Sequence, residues 1–446
     1  QCIKLIVDIM LATGCVPKIL SEGRTVVIPK SGDTNDINNW RPITIYSVVR
    51  RIIERVLDKH IRDQVTINRN QRGFISGVQG CHVNSALVNG CLKHAKQTKS
   101  NCTVVFLDVS KAYDRVGHAH IQRCLEAQGV SRNLSHLVMS LLKNNTIRLD
   151  TANGRSNQIH IQRGVPQGGP LSPILFDIAI NYIYDEICDP QFANQYGYKL
   201  YEDLDAISLT GFADDQAVTT KTVNGALRIV EMTQSLFQQI GLSINPKKSS
   251  AINIKDGQLV PGALVLNDGA TIECINADTR IRYLGCSFNS EMVFDMDVVT
   301  KFTEYINNLI TSPLLKKDQK LNLLNQYILP MLTFPLQAAP LRKIPMAALD
   351  TLDKSIRTCI RAIIGLPTRT TNDMMYAPRK FRGLGVVCCR WEVYLQHFAI
   401  AQRLSKLQDE LFHRIYDCQA EMEACKQMLQ VEGDTMSILR AALREL

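Results

Sequence analysis

An uninterrupted run of strand-forming residues restricts the fold of this chain more than any other feature. Residues 102–109 are almost entirely β-branched, aromatic or otherwise apolar, which is typical of a strand buried on both faces. A helical pattern follows over residues 118–128, and Gly129 ends it. The run therefore predicts a strand, a turn and a helix, with Asp108 near the end of the strand.

A second strand-forming region carries two more aspartates. Residues 206–212 and 217–220 read as strands, and Asp214 and Asp215 lie in the link between them. An Asp-Asp pair is ordinary chemistry for a hairpin turn. Beside a buried strand, however, two like charges repel unless a cation joins them. The pair is therefore a candidate metal ligand as well as a turn.

Asp108 has the same two interpretations. An aspartate just after a strand commonly caps the next helix. Asp114 can supply that cap instead. This leaves Asp108, among hydrophobic neighbours, without a local structural duty, which favours the ligand interpretation.

The remaining pattern mixes strands and helices and then becomes helical. Residues 24–29 read as a strand, and loop or turn residues fill 31–39 and Asn153-Gly154. From about residue 297 the pattern is helical only, so we expect an α+β fold with a domain boundary there. Further helices are predicted over residues 43–65, 134–143, 171–187 with Ser172 as the N-cap, and 223–240.

Length and composition indicate a globular protein with a basic balance. A chain of 446 residues exceeds a typical single domain, so two or three packed units are expected. Lysine and arginine outnumber acidic residues 51 to 42, an excess of +9 that suits nucleic acid without proving it. The 14 cysteines are scattered without zinc-ligand spacing, which predicts a reducing compartment and no structural zinc.

The amino-terminal segment is apolar but does not read as a membrane span. Residues 5–15 contain Asp8 and are too few to cross a bilayer, so a buried helix is predicted and no membrane association. The chain begins with glutamine, which predicts a fragment of a longer polypeptide.

A glycine-rich segment precedes the predicted helix at 171–187. Residues 164–169 can be a simple loop. The N–H groups at a helix start also favour an anionic phosphate, and Gln167 offers a neutral amide to a sugar, base or phosphate. The segment alone leaves both interpretations open.

The order of the motifs along the chain resembles that of the reverse transcriptases of non-LTR, LINE-type retrotransposons. The acidic motifs lie 214 − 108 = 106 residues apart, and the similarity extends from residue 24 to about 288. The matching motifs are Val27-Ile28-Pro29-Lys30, Asn39-Trp40-Arg41-Pro42-Ile43, Gln71-Arg72-Gly73-Phe74, residues 106–114, residues 164–173, Phe212-Ala213-Asp214-Asp215, residues 241–249 and Tyr283-Leu284-Gly285.

The resemblance implies an α+β right-hand polymerase fold of fingers, palm and thumb. Residues 1–101 would form the fingers with an amino-terminal helix. The palm would cover residues 102–290, with a fingers insertion around 143–163, and residues 291–446 would form a helical thumb and extension. Gly365-Leu366-Pro367 and Gly383-Leu384-Gly385 are similar to segments of the branch that carries a restriction-like endonuclease.

The resemblance also implies an active site. Asp108, Asp214 and Asp215 would be the catalytic acids and, with Val109, would hold two Mg²⁺ ions, with Mn²⁺ as a substitute. The implied substrate-binding residues are Lys30 and Arg41 at the triphosphate, Tyr113 as a gate against the ribose 2′-hydroxyl, Gln167, and Lys248 near the leaving group, with Lys247 as a competitor.

The implied partners are an RNA template, a DNA primer or target and deoxynucleoside triphosphates, and the implied location is intracellular, in the nucleus. The sequence makes no prediction of oligomeric state. A viral RNA polymerase would have glycine before the aspartate pair, where this chain has Ala213. The sequence is also compatible with a group II intron maturase, a retron enzyme or a copy that binds RNA without polymerising, although the intact acids argue against the inactive copy.

Overall fold

The computed structural model describes residues 2–30, 33–151 and 154–443, and the chain divides into two compact units. The first unit comprises Gln1–Ser76, Ser100–Asp256 and Val260–Cys274. The second comprises Gly77–Lys99, Gly257–Leu259 and Ile275–Leu446. Ser31, Gly32 and Asn153, which the sequence assigns to loops, lie outside the described residues.

The described residues form strands and helices in a mixed order, which confirms the α+β class. The strands are β1 Glu22–Pro29, β2 Trp40–Ile45, β3 Cys102–Leu107, β4 Thr146–Thr151, β5 Gly154–Arg155, β6 Ile159–His160, β7 Leu209–Phe212, β8 Asp215–Thr220, β9 Ser250–Lys255, β10 Gln258–Leu259, β11 Gly262–Val265, β12 Thr271–Cys274, β13 Ile281–Tyr283, β14 Cys286–Phe288 and β15 Met292–Val293. The α-helices are α1 Cys2–Thr13, α2 Lys18–Ser21, α3 Val48–Arg62, α4 Gly80–Gln97, α5 Ala112–Arg115, α6 His118–Ala127, α7 Arg132–Lys143, α8 Ser172–Ile187, α9 Pro190–Tyr196, α10 Val223–Gln239, α11 Asp297–Thr311, α12 Lys317–Leu323, α13 Thr333–Ala338, α14 Met346–Ile364, α15 Asn372–Tyr376, α16 Cys389–Leu404, α17 Glu410–Ile415, α18 Cys418–Leu429 and α19 Met436–Leu443.

The first unit contains two sheets. One has the strand order β2-β1-β4-β5, with β6 also paired to β4. Its β1–β4 pair is parallel, whereas the β1–β2, β4–β5 and β4–β6 pairs are antiparallel. The other has the order β11-β12-β9-β3-β8-β7, so that β3 lies between β8 and β9 and pairs with both in antiparallel fashion. Every residue of β3 is buried, as its apolar run predicts.

Helices cover the buried face of this second sheet. Val105 and Leu107 of β3 belong to the same apolar core as Leu175 and Ile178 of α8. Burial of this apolar surface is the main stabilising contribution to the unit. The core thus fixes the position of the strand ends, where the aspartates lie.

Two helix predictions need correction. The helix predicted from residue 43 begins at Val48, because residues 40–45 pair with β1 and the Ser47 side chain accepts a hydrogen bond from the Arg50 N–H. Ser172 is not the N-cap of α8. It is the first helical residue, and its hydroxyl donates to the Pro166 carbonyl at 2.7 Å.

The second unit is built mainly from helices. Its core joins residues of α11, α14, α16, α18 and α19. Within the described residues, no strand follows β15, which confirms the predicted change to helices at residue 297. Asp353 of α14 accepts hydrogen bonds from the backbone N–H groups of Cys389, at 2.7 Å, and Arg390, at 3.3 Å, and so caps α16.

The amino-terminal helix α1 is amphipathic, with Val7 and Met10 buried and Leu5 and Ile9 exposed, so the prediction of a buried helix holds for one face only. None of the helices in the described part of the chain combines the length and the apolar character that crossing a bilayer requires.

A buried ion pair supports the first sheet of the first unit. Arg50 and Glu54 of α3 are 1% and 2% exposed, and the Arg50 Nε donates to Glu54 Oε1 at 2.6 Å. The Arg50 guanidinium also donates to the Leu20 carbonyl at 2.9 Å and lies 3.6 Å from the centre of the Tyr46 ring. The pair therefore ties α3 to α2 and to the end of β2.

We expect Arg50→Met to lower the free energy of unfolding by roughly 3–5 kcal/mol, because it leaves the Glu54 charge buried without a partner. The double variant Arg50→Met, Glu54→Leu should lose clearly less, since no charge remains. Urea unfolding followed by circular dichroism measures both. An equal loss in the two variants would show that packing, and not the uncompensated charge, sets the cost.

Candidate active site

Asp214 and Asp215 lie at a tight turn between β7 and β8. Phe212 pairs with Asp215 across the hairpin, so only Ala213 and Asp214 separate the paired positions. Ala213 has a φ of 53°, the left-handed conformation that a residue with a Cβ adopts only at a cost. The turn therefore holds Asp214 and Asp215 in a strained backbone that surrounding contacts must maintain.

Asp108 lies at the same end of the sheet. Leu107 of β3 pairs with Gln216 of β8, so the next residue on β3 is adjacent to Asp215. The Asp108 carbonyl accepts a hydrogen bond from Asn245 N–H at 2.8 Å, and its N–H donates to Ser249 Oγ at 3.1 Å. The backbone of Asp108 is thus fixed on both sides.

The three carboxylates influence one another electrostatically. The pKa of Asp215 is raised to about 6, mainly by desolvation and then by the Asp214 and Asp108 charges, while Arg41 opposes the rise. Desolvation also raises the pKa of Asp214. The charge of Asp108 raises this pKa further, whereas Arg41 and Lys30 lower it. The site therefore concentrates negative charge that only partly balances against nearby cations.

Lys30 and Arg41 come from the hairpin of β1 and β2. Ile28 pairs with Arg41, so Arg41 and Lys30, two residues beyond Ile28, share one face of the hairpin. Both side chains are exposed. Both cations lower the pKa of Asp214, so their charges reach the acid pair from another sheet of the same unit.

The glycine-rich segment connects the hairpin to the helix after β3. The Gln167 carbonyl accepts from Thr44 N–H at 2.7 Å, and the Gln167 amide donates to Asp114 Oδ1 at 3.0 Å. Gly168 has a φ of 112°, and a Cβ there would lie 2.6 Å from the Thr44 carbonyl oxygen. Asp114, predicted as a helix cap, instead holds Gln167.

Tyr113 packs beside the acids. Its ring stacks on Phe176 of α8 with centroids 4.7 Å apart and an angle of 13°. Burial, followed by the charges of Asp177, Asp214 and Asp215, raises the pKa of Tyr113 far above its ordinary value. Tyr113 thus stays neutral and within electrostatic reach of the acid pair.

Val109 and Lys248 are placed less directly. Val109 forms an isolated bridge with Ile244, which keeps its backbone next to Asp108. Lys248 lies exposed in the turn before β9, beside Ser249. Within the described ranges, no hydrogen bond or ion pair of the Lys248 ammonium is seen, and the Lys248 N–H donates to the Asn245 carbonyl at 3.1 Å.

The sequence pattern assigns no role to two buried residues here. Gln71 is 2% exposed and binds the turn at Ala213. The sequence pattern places Gln71 in a matching motif but predicts no function for its side chain. Asp177 of α8 is fully buried, and neither of its carboxyl oxygens has a hydrogen-bond partner among the described residues. Burial raises the pKa of Asp177 well above its ordinary value. An acid inside the apolar stretch 174–180 of this helix is the signal that could have found Asp177.

The donor set fits divalent metal ions chemically. Carboxylate oxygens are the ligands that Mg²⁺ prefers, and the mutual repulsion of the three acids is what a cation relieves. In the part of the chain that the structure describes, no three acidic, histidine or cysteine side chains converge as a ready metal cage. A shared ion therefore requires the side chains of Asp108, Asp214 and Asp215 to approach one another.

The raised pKa of Asp215 predicts a pH-dependent stability difference. The pKa of Asp215 in the folded protein is about 6, above the ordinary 3.8, so its negative charge destabilises the folded state at pH 7. This destabilisation disappears as the pH falls from about 6 to about 4, where the carboxyl becomes protonated in both states. In metal-free buffer, Asp215→Asn should therefore melt above the wild type at pH 7, and the gap should close near pH 4. Thermal melting of both proteins, with the exposed Asp63→Asn as control, measures this. A gap that does not change with pH would contradict it.

The sequence matches known proteins over most of its length. Residues 28–288 match the family model described as "Reverse transcriptase (RNA-dependent DNA polymerase)". The chain is 30% identical to a "Retrovirus-related Pol polyprotein from type-1 retrotransposable element R2" of Popillia japonica, over 86% of this chain and 53% of that protein. It is 27% identical to the corresponding polyprotein of element R2DM of Drosophila melanogaster, over 86% of this chain and 36% of that protein. The chain thus spans between a third and about half of these relatives.

A solved telomerase structure from Candida albicans aligns with 99% of this chain over 68% of the telomerase chain, at 12% identity and a TM-score of 0.48. This similarity is too low to support a conclusion. The family match covers more than half of the sequence and includes all three aspartates. The chain therefore belongs to the reverse transcriptase family, whose members have the right-hand polymerase fold, and within it to the non-LTR retrotransposon group that its motifs predicted.

Proposed function

We propose that this chain is the polymerase core of a retrotransposon enzyme that copies RNA into DNA by adding deoxynucleotides to a primer 3′-hydroxyl. One observation carries the proposal. Asp108, Asp214 and Asp215 lie at the same end of the paired strands, and Lys30 and Arg41 lie close enough to lower the pKa of Asp214. Transfer of a phosphoryl group depends mainly on positioning and charge stabilisation, which such a cluster supplies.

The three acids, together with the Val109 carbonyl, would hold the metal, for which we propose two Mg²⁺ ions that Mn²⁺ can replace. When bound, such ions activate the attacking hydroxyl and neutralise the charge of the phosphates. The protein's own contribution is to fix the carboxylates on rigid strands, with Asp108 held by Asn245 and Ser249.

Lys30 and Arg41 bind the triphosphate in this proposal. A planar guanidinium and a compact ammonium are complementary donors for phosphate oxygens. Lys248, with Lys247 as its competitor, protonates the leaving pyrophosphate. Both lysines are exposed in the turn after Asn245, so either can reach outward without unfolding the turn.

Tyr113 and Gln167 shape the nucleotide site. The stack on Phe176 restricts how far the Tyr113 ring can retreat, which suits a gate against a ribose 2′-hydroxyl. Asp114 holds the Gln167 amide and so orients it toward the sugar or base.

The partners proposed for the complete protein are an RNA template, a DNA primer or target and deoxynucleoside triphosphates. The net charge of +9 suits these polyanions. We propose that the complete protein acts at nuclear DNA. We also propose that this chain is divided into fingers (1–101), palm (102–290) and thumb (291–446). The restriction-like endonuclease branch stays a prediction for the complete protein.

Primer extension on an RNA template with Mg²⁺ tests the proposal. Asp214→Asn should lower kcat by roughly 10²–10³-fold or more, the scale on which losing one group that stabilises the transition state acts. Asp63→Asn, an exposed change in the same unit, should extend like the wild type. A folded wild type that binds RNA but does not extend a primer would favour a binding module.

The gate predicts a change in sugar selectivity. Tyr113→Val should raise the relative incorporation of ribonucleotides by roughly 10- to 100-fold, because removing the ring makes room for the 2′-hydroxyl. Tyr113→Phe, which keeps the ring and the stack, should select like the wild type. Single-nucleotide incorporation with matched ribo- and deoxynucleotides measures the ratio, and equal selectivity in Tyr113→Val and Tyr113→Phe would argue against the gate.

A further inference from the structure

A short segment of the first unit, Asn70 to Phe74, lies against the turn that carries the acid pair. The Gly211 N–H donates to the Asn70 carbonyl at 2.9 Å, and the Arg72 N–H donates to the Gly211 carbonyl at 2.8 Å. Gln71 therefore forms a parallel bridge with Gly211 of β7. We call residues 70–74 the turn brace.

The Gln71 side chain reaches from the brace to the turn itself. Its Oε1 accepts hydrogen bonds from the N–H groups of Ala213 and Gly73, both at 2.9 Å. Its Nε2 donates to the Ala213 carbonyl at 3.2 Å and to the Tyr184 hydroxyl at 3.4 Å. One carboxamide thus binds both backbone groups of Ala213.

This contact acts where the backbone is strained. Ala213 has a left-handed φ of 53°, which costs free energy for a residue with a side chain. Its carbonyl belongs to the peptide that continues into Asp214, so fixing that carbonyl fixes the direction in which Asp214 leaves the turn. A buried carboxamide with both ends bonded is a rigid support, since breaking it leaves unsatisfied groups.

Close packing leaves the turn little room to move. A Cβ at Gly73 would lie 2.3 Å from the Ala213 nitrogen, and one at Gly211 would lie 1.8 Å from the Tyr184 hydroxyl oxygen. Phe74 and Phe212 add a ring contact with centroids 5.2 Å apart. The brace and the turn therefore fit together only when both neighbours are glycine.

We propose that Gln71 is a positioning residue for nucleotidyl transfer. By binding Ala213 it holds the Asp214–Asp215 turn in the backbone conformation in which the two carboxylates can work with Asp108, although Gln71 touches neither substrate nor metal. The inference rests on the proposed polymerase function, and it adds a residue whose effect passes through the backbone of the turn.

The test compares Gln71→Met, which keeps the length of the side chain but has no amide, with a matched control. Gln128 binds the backbone of Thr66 in the same way, accepting from its N–H at 3.0 Å and donating to its carbonyl at 3.2 Å, away from the acids. Gln128→Met therefore removes the same kind of hydrogen-bond pair at a more exposed position of the same unit.

Two measurements are made on each protein. Gln71→Met should lower kcat for primer extension by roughly 10²-fold, the scale of a small misplacement of reacting groups, with the KM for deoxynucleotides changed less than about twofold. Amide hydrogen exchange should speed up in peptides that cover residues 209–216 and the brace, where the Gly73 N–H loses the same acceptor, and nowhere else. Gln128→Met should change neither quantity.

A second variant guards against poor folding of the first. Gly73→Ala places a methyl against the Ala213 nitrogen and should reproduce both effects. Gly117→Ala, where an added Cβ meets no atom within 4 Å, is its control.

The outcomes separate the inference from the proposed function. Normal kcat in Gln71→Met and Gly73→Ala, or a loss accompanied by faster exchange throughout the unit, would overturn the positioning role. An inactive wild type would overturn the polymerase proposal instead. Faster exchange confined to residues 209–216 and the brace in Gln71→Met would then still establish the brace.

Discussion

The pairing of β3 with β8 is the interaction on which the rest of this site depends. Its register sets Leu107 opposite Gln216, and this alone brings Asp108 to the side of Asp215 although the two are distant in sequence. A slip of one residue would turn each side chain to the other face of the sheet, so the register must be firmly specified. Complete burial of β3 and the apolar core beneath it provide that specification.

Holding the acids together has an electrostatic cost that the fold must offset. The raised pKa values of Asp214 and Asp215 report this cost, because both desolvation and the neighbouring carboxylates disfavour their ionised forms. Hydrogen bonds to the backbone restrain Asp108 and the turn that carries Asp214 and Asp215. Asn245 and Ser249 fix Asp108, and Gln71 fixes the turn. Because these bonds act on the backbone, this restraint does not use the carboxyl oxygens, which suits groups that are proposed to bind a cation.

Local pattern predicts much of this arrangement, and contacts across the chain decide the rest. The apolar run of β3 and the helical periodicity of α10 depend on near neighbours, so the sequence reveals them. The predicted start of α3 is wrong because apolar β-branched residues at 43–45 suit a strand as well as a helix, and pairing with β1 decides between them. The acids are assigned by their order along the chain. The Gln71 contact joins residues 142 positions apart and leaves no periodic signal, and the unpaired carboxyl of Asp177 is visible only once α8 is packed.

The acidic and the basic residues of the site lie on different kinds of element, the acids on rigid strands and the cations on an exposed hairpin. The aspartates lie on paired strands and a braced turn, where little conformational entropy is left to lose when a cation binds. Lys30 and Arg41 lie exposed on a hairpin, where an ammonium and a guanidinium remain hydrated until an anion arrives. Because an exposed cation is desolvated little when it is free, in the proposed reaction it can bind a triphosphate and release pyrophosphate without leaving a buried charge behind. Buried cations next to the acids would neutralise them permanently and would compete with metal ions. The exposure of Lys30 and Arg41 avoids this, which suits a site that is proposed to react repeatedly.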